Sequence, residues 1–259
     1  MSTKYEASQE VRELERLIRD FSRRYGLDTR NVFRDLLLYI VHNFSLPDTP
    51  PAKHWPYTPE QNRAFYEMFT AWIGIMKRQI VRHGFYDAFG DLFMALNPQR
   101  ELQRQGQFLT PEEIADLCQR IVVGHGRKVD ALYDPAAGSG RMLIASRTYH
   151  PRSYLVGWDI DYTCCLMCVC NFLMNSCVGE VACIDTISMG DFRGAWLVNE
   201  AYYRTGMPSV RWLDEQEYVR FRRADTPPYV FFLDSKGYDD YFRWRETWWR
   251  ISALCHNRP

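Results

Sequence analysis

The feature that most constrains this chain is the stretch Asp134 to Leu143, "DPAAGSGRML", which follows the apolar run "VDALY" and precedes "IASRTYH". A strand that ends in a glycine-bearing turn and re-enters a helix brings backbone N–H groups close to a small anionic or polar ligand. It also commits the segment to a parallel α/β arrangement, because the helix must return the chain to the same edge of the sheet. The next apolar run, "SYLVGWDI", ends at Asp159, about 20 residues past the glycines, where a carboxylate accepts hydrogen bonds from ribose hydroxyls. Turn and acid together describe a pocket for an adenosine. An acid and a proline stand before Gly138 and Gly140, as Asp134-Pro135-Ala136-Ala137-Gly138-Ser139-Gly140. That acid repels a pyrophosphate and favours a cofactor with a cationic amino-acid arm, of which S-adenosylmethionine is one. The plainer reading is that the glycines permit tight packing and Asp159 caps a helix.

Around this turn the pattern alternates. "KVDALYDP" reads as a strand, "GRMLIASRTYH" as a helix, "SYLVGWDI" as a strand, "YTCCLMCVCNFLMNSC" as a helix and "EVACIDT" as a short strand. The β-α-β-α-β order predicts a Rossmann-like parallel sheet with helices on its faces. Ahead of it, "TPEEIADLCQRIV" reads as a helix with Thr110 as N-cap, Pro111 in the first turn and Glu113 closing a capping box. Residues 1–102 differ in character. Apolar residues at helical spacing in "SQEVRELERLIRDFSRRY", "VFRDLLLYIVHNF", "EQNRAFYEMFTAWIGIMKRQIV" and "YDAFGDLFMAL" predict an all-helical N-terminal domain, broken by "LPDTPPAKHWPYTP". Residues 103–259 are the predicted cofactor-binding domain.

Lysine plus arginine and aspartate plus glutamate number 32 each, so any nucleic-acid contact must come from local patches such as "RFRR" at 220–223 or "RWRETWWR" at 243–250. A solvated face is the competing reading of both. Four of the eight cysteines crowd into "CCLMCVC", where neighbours on a helix point in different directions and no metal spacing emerges. Buried free thiols in a cytoplasmic protein are expected, with no metal centre. No apolar run reaches the roughly 20 residues that span a bilayer, and no membrane association is expected.

These residues resemble the adenine-N6 DNA methylases of type I restriction-modification systems. "GQFLTP" at 106–111 is similar to that family's "GQFYTP", "DPAAGSGRML" to its "DPACGSGGML", and "GWDIDYTCCLMCVCNFLMN" to its second strand and following helix. "CIDTI" at 183–187 is similar to its "GDTL". The likeness runs over roughly residues 60 to 200. It implies S-adenosylmethionine as cofactor, DNA as substrate and a separate specificity subunit as partner. By position it implies that Phe108, Thr110 and Pro111 border the methionine end, while Asp134, Pro135, Ala136, Gly138 and Gly140 hold it. Asp159 then takes the ribose, Ile160 packs on the adenine and Asp185 approaches its amine.

The family's "NPPY" or "NPPF" is absent. Asn199-Glu200-Ala201-Tyr202, after the apolar "AWLV" of a fourth strand, keeps an amide and an aromatic. Thr226-Pro227-Pro228-Tyr229 keeps the prolines and tyrosine. Asn199 or Thr226 is the expected acceptor for the amine and Tyr202 or Tyr229 the face for an extruded base. A relative that has lost catalysis and acts as an interaction partner is the alternative. The tail after Asp185 is expected to add "EYVRFRR" and "PYVFFLD" as antiparallel strands and to end in a helix.

Overall fold

The computed structural model describes residues 8–46, 55–97, 102, 107, 109–123 and 129–223. Helices α1 (Arg12–Tyr25), α2 (Thr29–Phe44), α3 (Pro59–His83) and α4 (Ala88–Leu96) occupy the segments whose spacing predicts them. Their ends are chemically marked. Asp28 accepts from the N–H groups of Arg30 and Asn31, Thr58 and Gln61 form a reciprocal capping box, and Gly26 ends α1 in the left-handed region at φ 65°.

After α5 (Glu112–Val123) come β1 (Ala131–Asp134), α6 (Arg141–Ser146), β2 (Tyr154–Asp159), α7 (Tyr162–Met174) and β3 (Gly179–Asp185). The three strands pair in parallel in the order β1-β2-β3. Each ends in an aspartate, so Asp134, Asp159 and Asp185 lie along one edge of the sheet. β4 (Gly190–Val198) and β5 (Val210–Leu213) then extend the sheet beyond β3, with α8 (Tyr202–Thr205) between them and α9 (Glu215–Arg223) after them. The result is a mixed α/β fold with a five-stranded sheet, parallel and then antiparallel.

Two expectations are corrected here. β4 runs antiparallel to β3, with Val198 opposite Gly179 at the start of that strand. Only Thr186 to Met189 separate the two strands, whereas a parallel crossover takes a dozen residues or more. Met189 and Asp191 take the positive φ of a tight reversal. "EYVRFRR" is helical, in α9, because Asp214 and Glu217 cap its start reciprocally: Asp214 Oδ1 accepts from Glu217 N at 2.8 Å and Glu217 Oε2 accepts from Asp214 N at 2.9 Å. "PYVFFLD", the closing helix and "RWRETWWR" lie outside the described residues.

α7 is buried on every side from Cys164 to Met174, as expected of a helix apolar around its whole circumference. It lies between the sheet and the N-terminal helices, and one hydrophobic cluster runs continuously from Val11 of the helical region to Val210 of β5. The opposite face of the sheet is covered by α9, where Tyr218 packs with Ala182, Ala195, Leu197 and Leu213. Tyr218 donates to the fully buried Glu180 at 2.7 Å, and Arg222 reaches the same carboxylate at 3.1 Å while remaining exposed, as are Arg220 and Arg223. The six cysteines from Cys164 to Cys183 are free and buried, and among the described residues no cluster of metal ligands occurs. No described helix is long and apolar enough to cross a membrane.

Candidate functional site: the carboxyl edge of the parallel strands

At the carboxyl edge the glycine turn and the second strand meet. Gly138 and Gly140 take positive φ, 55° and 79°, which a side chain disfavours. A β-carbon at Gly140 would also come within 2.6 Å of Cys168 Sγ, so α7 packs directly on the turn. The turn is closed by Gly140 N–H donating to Ala137 O at 2.7 Å and tied to β2 by Ala137 N–H donating to Trp158 O at 2.9 Å. Asp159 Oδ2 accepts from Gly138 N at 2.8 Å and its Oδ1 from Asp161 N at 2.8 Å. Its carboxylate thus points at the turn, with one backbone donor per oxygen and lone pairs to spare. Burial pushes its pKa up.

Among the described residues Asp134 has one hydrogen bond, from Ala136 N at 3.1 Å, and burial pushes its pKa up as well. A desolvated carboxylate with a single neutral donor is under-compensated, and an approaching ammonium would relieve it. Pro135 and Ala136, which follow it, are exposed, as is Pro111. Ile160 is 52% exposed, presenting an apolar side chain at the end of β2. Asp185 caps the β3–β4 reversal: Oδ1 accepts from Ile187 N at 2.9 Å and Ser188 N at 3.3 Å, and Oδ2 from the Ser188 hydroxyl at 2.7 Å. These bonds hold its pKa below the usual carboxylate value. The reversal leans on the glycine turn through Thr186 Oγ1, which donates to Pro135 O at 3.1 Å.

Residues 83–193 match the sequence model of the family described as N-6 DNA Methylase. Over that span the chain is similar to the N-6 DNA methylase family. It is also similar to the type I restriction enzyme MpnII methylase subunit of Mycoplasma pneumoniae (strain ATCC 29342 / M129 / Subtype 1), with 32% identity over 98 residues. That match covers 35% of this chain and 18% of the relative, so the chain spans under a fifth of that protein's length. No solved structure matches.

Within the matched segment, Thr110 does not form the helix cap expected of it. The first turn of α5 runs to Pro111 O, which accepts from Ile114 N and Ala115 N. This places Pro111 at the cap, and it is the carbonyl of Thr110 that is engaged, by Arg141 Nη1 at 3.1 Å. Phe108, Thr226 and Tyr229 lie outside the described residues.

The structure does not bring Asn199 and Tyr202 to the glycine turn. Because β4 is antiparallel, its end lies beside the start of β3, a strand's length from Asp159 and Asp185. Asn199 is fully buried and its amide is spent: Nδ2 donates to Phe172 O at 3.1 Å and Cys177 O at 2.8 Å, and Oδ1 accepts from Ser209 N at 3.2 Å. Tyr202 is also buried, with its hydroxyl 2.8 Å from Ser176 Oγ.

Sequence reading missed a second set of groups behind the turn. Asp87, Asp91, Arg141, Ser139 and Asn171 form a connected polar cluster. Its one advance signal is Arg141, which stands where the family's turn carries a third glycine. Glu112 borders the same cluster with Oε1 buried and unpartnered among the described residues, and its pKa is pushed up to about 7 by burial first, against the pull of Arg141. A carboxyl whose folded pKa is raised favours the folded state below its unfolded value and withdraws that support as pH climbs through the folded one. Melting temperature is therefore expected to fall between about pH 4.5 and 7 in the native protein and to fall less in Glu112→Gln. Equal slopes in thermal scans across that range would show that Glu112 is not the group responsible.

Proposed function

We propose that this chain is the S-adenosylmethionine-binding part of a DNA adenine-N6 methyltransferase of restriction-modification type, built on a Rossmann-like parallel core. The observation that carries the reading is the meeting of the glycine turn with Asp159, 2.8 Å from Gly138 N, at the carboxyl edge of the parallel strands. The donor set suits such a cofactor. Asp134 takes the cationic arm, the free lone pairs of Asp159 take ribose hydroxyls, and Ile160 offers an apolar face to the adenine. The cofactor supplies a methyl group already activated on a sulfonium. The residues of this chain bind and orient it, which is how alignment contributes to in-line transfer. DNA contact and target choice fall to a specificity subunit, in keeping with the printed description of the relative as a methylase subunit of a type I restriction enzyme.

The second reading is a non-catalytic relative that keeps the cofactor pocket. It is favoured by one observation, the burial of Asn199 and Tyr202 at the far end of the sheet. A methylating complex would then take its base-holding residues from Thr226 and Tyr229 or from a partner chain.

Calorimetry with S-adenosylmethionine tests the part common to both. Asp159→Ala removes the ribose acceptor and the partner of Gly138 N–H together, and is expected to weaken binding about 100-fold, equivalent to two charge-assisted hydrogen bonds. A folded native chain that gives no heat would sink the cofactor reading. Transfer of labelled methyl to mixed DNA then separates the two readings, since incorporation supports the enzyme and its absence on every substrate, with cofactor bound, supports the relative.

A further inference from the structure

Behind the glycine turn, four donors converge on one carboxylate that no ligand can reach. Asp87, 1% exposed, caps α4. Its Oδ1 accepts from Gly90 N and from Asn171 Nδ2, each at 2.7 Å. Its Oδ2 accepts from the Ser139 hydroxyl at 2.5 Å and from Arg141 Nε at 2.8 Å. Both oxygens are saturated. Asn171 also donates to Ser139 O at 2.8 Å, so the central serine of the turn is held by its hydroxyl and its carbonyl at once. The same Arg141, 7% exposed, reaches Asp91 Oδ1 at 2.7 Å with Nη2 and Thr110 O with Nη1.

A buried ion pair is a weak source of stability, because desolvation offsets most of its attraction. What distinguishes this one is what it holds. The turn consists of two glycines in the left-handed region flanking a serine, a backbone with little conformational preference of its own. Its shape is set from outside, by a helix cap some fifty residues earlier in the chain. One guanidinium also fixes the separation between that turn and Thr110, the two segments that border the same end of the proposed pocket.

We propose that Asp87 is a positioning residue for cofactor binding, which acts through Ser139 and Arg141 to hold the glycine turn and the Thr110 segment in the geometry the ligand requires. Asp87 touches no ligand itself. The inference rests on the proposed cofactor reading but is tested separately from it.

The full chain is compared with Asp87→Asn and Ser139→Ala by calorimetry with S-adenosylmethionine, by thermal unfolding and by the amide resonances of Gly138 and Gly140. Ser139→Ala removes one tie to Asp87 and leaves the Arg141 pair intact, so it remains informative where Asp87→Asn fails to fold. Both folded variants are expected to bind about tenfold more weakly, the equivalent of one lost buried hydrogen bond, with the two glycine resonances displaced before ligand is added. A purely structural role would lower the melting temperature while the folded fraction binds normally and the glycine resonances stay in place, and that result would overturn the proposal. Should the native chain bind no cofactor, the cofactor reading fails, and unmoved glycine resonances in Ser139→Ala would overturn the positioning role as well.

Discussion

Gly179→Ala is expected to destabilise the protein strongly. Gly179 opens β3 beside Leu155 of β2. A β-carbon there would lie 2.1 Å from the Leu155 carbonyl oxygen and 3.0 Å from Phe172 Cε2. A β-carbon has no rotamer to choose, and the atom it strikes is backbone. Either β2 and β3 part locally or β3 shifts along its neighbour. A forced shift in a packed core costs about 3 kcal/mol, the upper end of the usual range, which for a chain of this size lowers the melting temperature by roughly 10 °C. Gly190→Ala is the control, because its β-carbon would meet only Ser188 Oγ, at 3.4 Å. Circular dichroism melts of the two variants decide the matter. If Gly179→Ala melts beside Gly190→Ala, the approach of β2 and β3 is looser than the structure has it. The strand concerned matters for the site, since β3 carries Asp185 and supports β2 and its terminal Asp159.

The same strand shows what could and could not be read in advance. The parallel core was legible because its signals are local: an apolar run, a turn that needs glycine, a helix, and a second strand ending in an acid at a fixed distance. Asp159 points at Gly138 as that pattern demands. The four N-terminal helices were legible for a similar reason, through periodicity and through caps such as Thr58 with Gln61. The reversal after β3 was misread because the apolar "AWLV" announces a strand without its direction. Direction lay in the four residues before it, which are too few for a crossover. "EYVRFRR" was misread because its apolar residues alternate like a strand, although Asp214 and Glu217 carried the capping signal. The Asp87 cluster was barely legible, with Arg141 in the turn as its one sign. An aspartate ahead of "AFGDLF" reads as a helix cap, which it is, and nothing local to it announces that Ser139, Arg141 and Asn171 will share its carboxylate. Such convergence is a property of the fold, set by α7 passing between the turn and α4.

Asn199 is where the two levels of reading disagree most sharply, and its replacement tells them apart. Read as the relic of a catalytic tetrapeptide, Asn199→Ala should leave stability unchanged and abolish methyl transfer. The structure leads to the opposite expectation. Alanine would strip the buried carbonyls of Phe172 and Cys177 of their side-chain donor, at about 1–1.5 kcal/mol each. It would also have to adopt φ 61° without the local hydrogen bonding that lets asparagine tolerate it, at a further cost of about 1 kcal/mol. The sum, about 3–4 kcal/mol, should appear as a melting temperature lowered by roughly 10 °C. Asn199→Gly separates the two contributions, since glycine accepts the backbone angle and loses only the hydrogen bonds, so it should recover about 1 kcal/mol. Affinity for S-adenosylmethionine per folded molecule should be that of the native chain in both variants, because Asn199 lies beside the start of β3 and the pocket at its other end. If Asn199→Ala instead melts normally and loses cofactor binding or methyl transfer, the antiparallel placement of β4 is refuted.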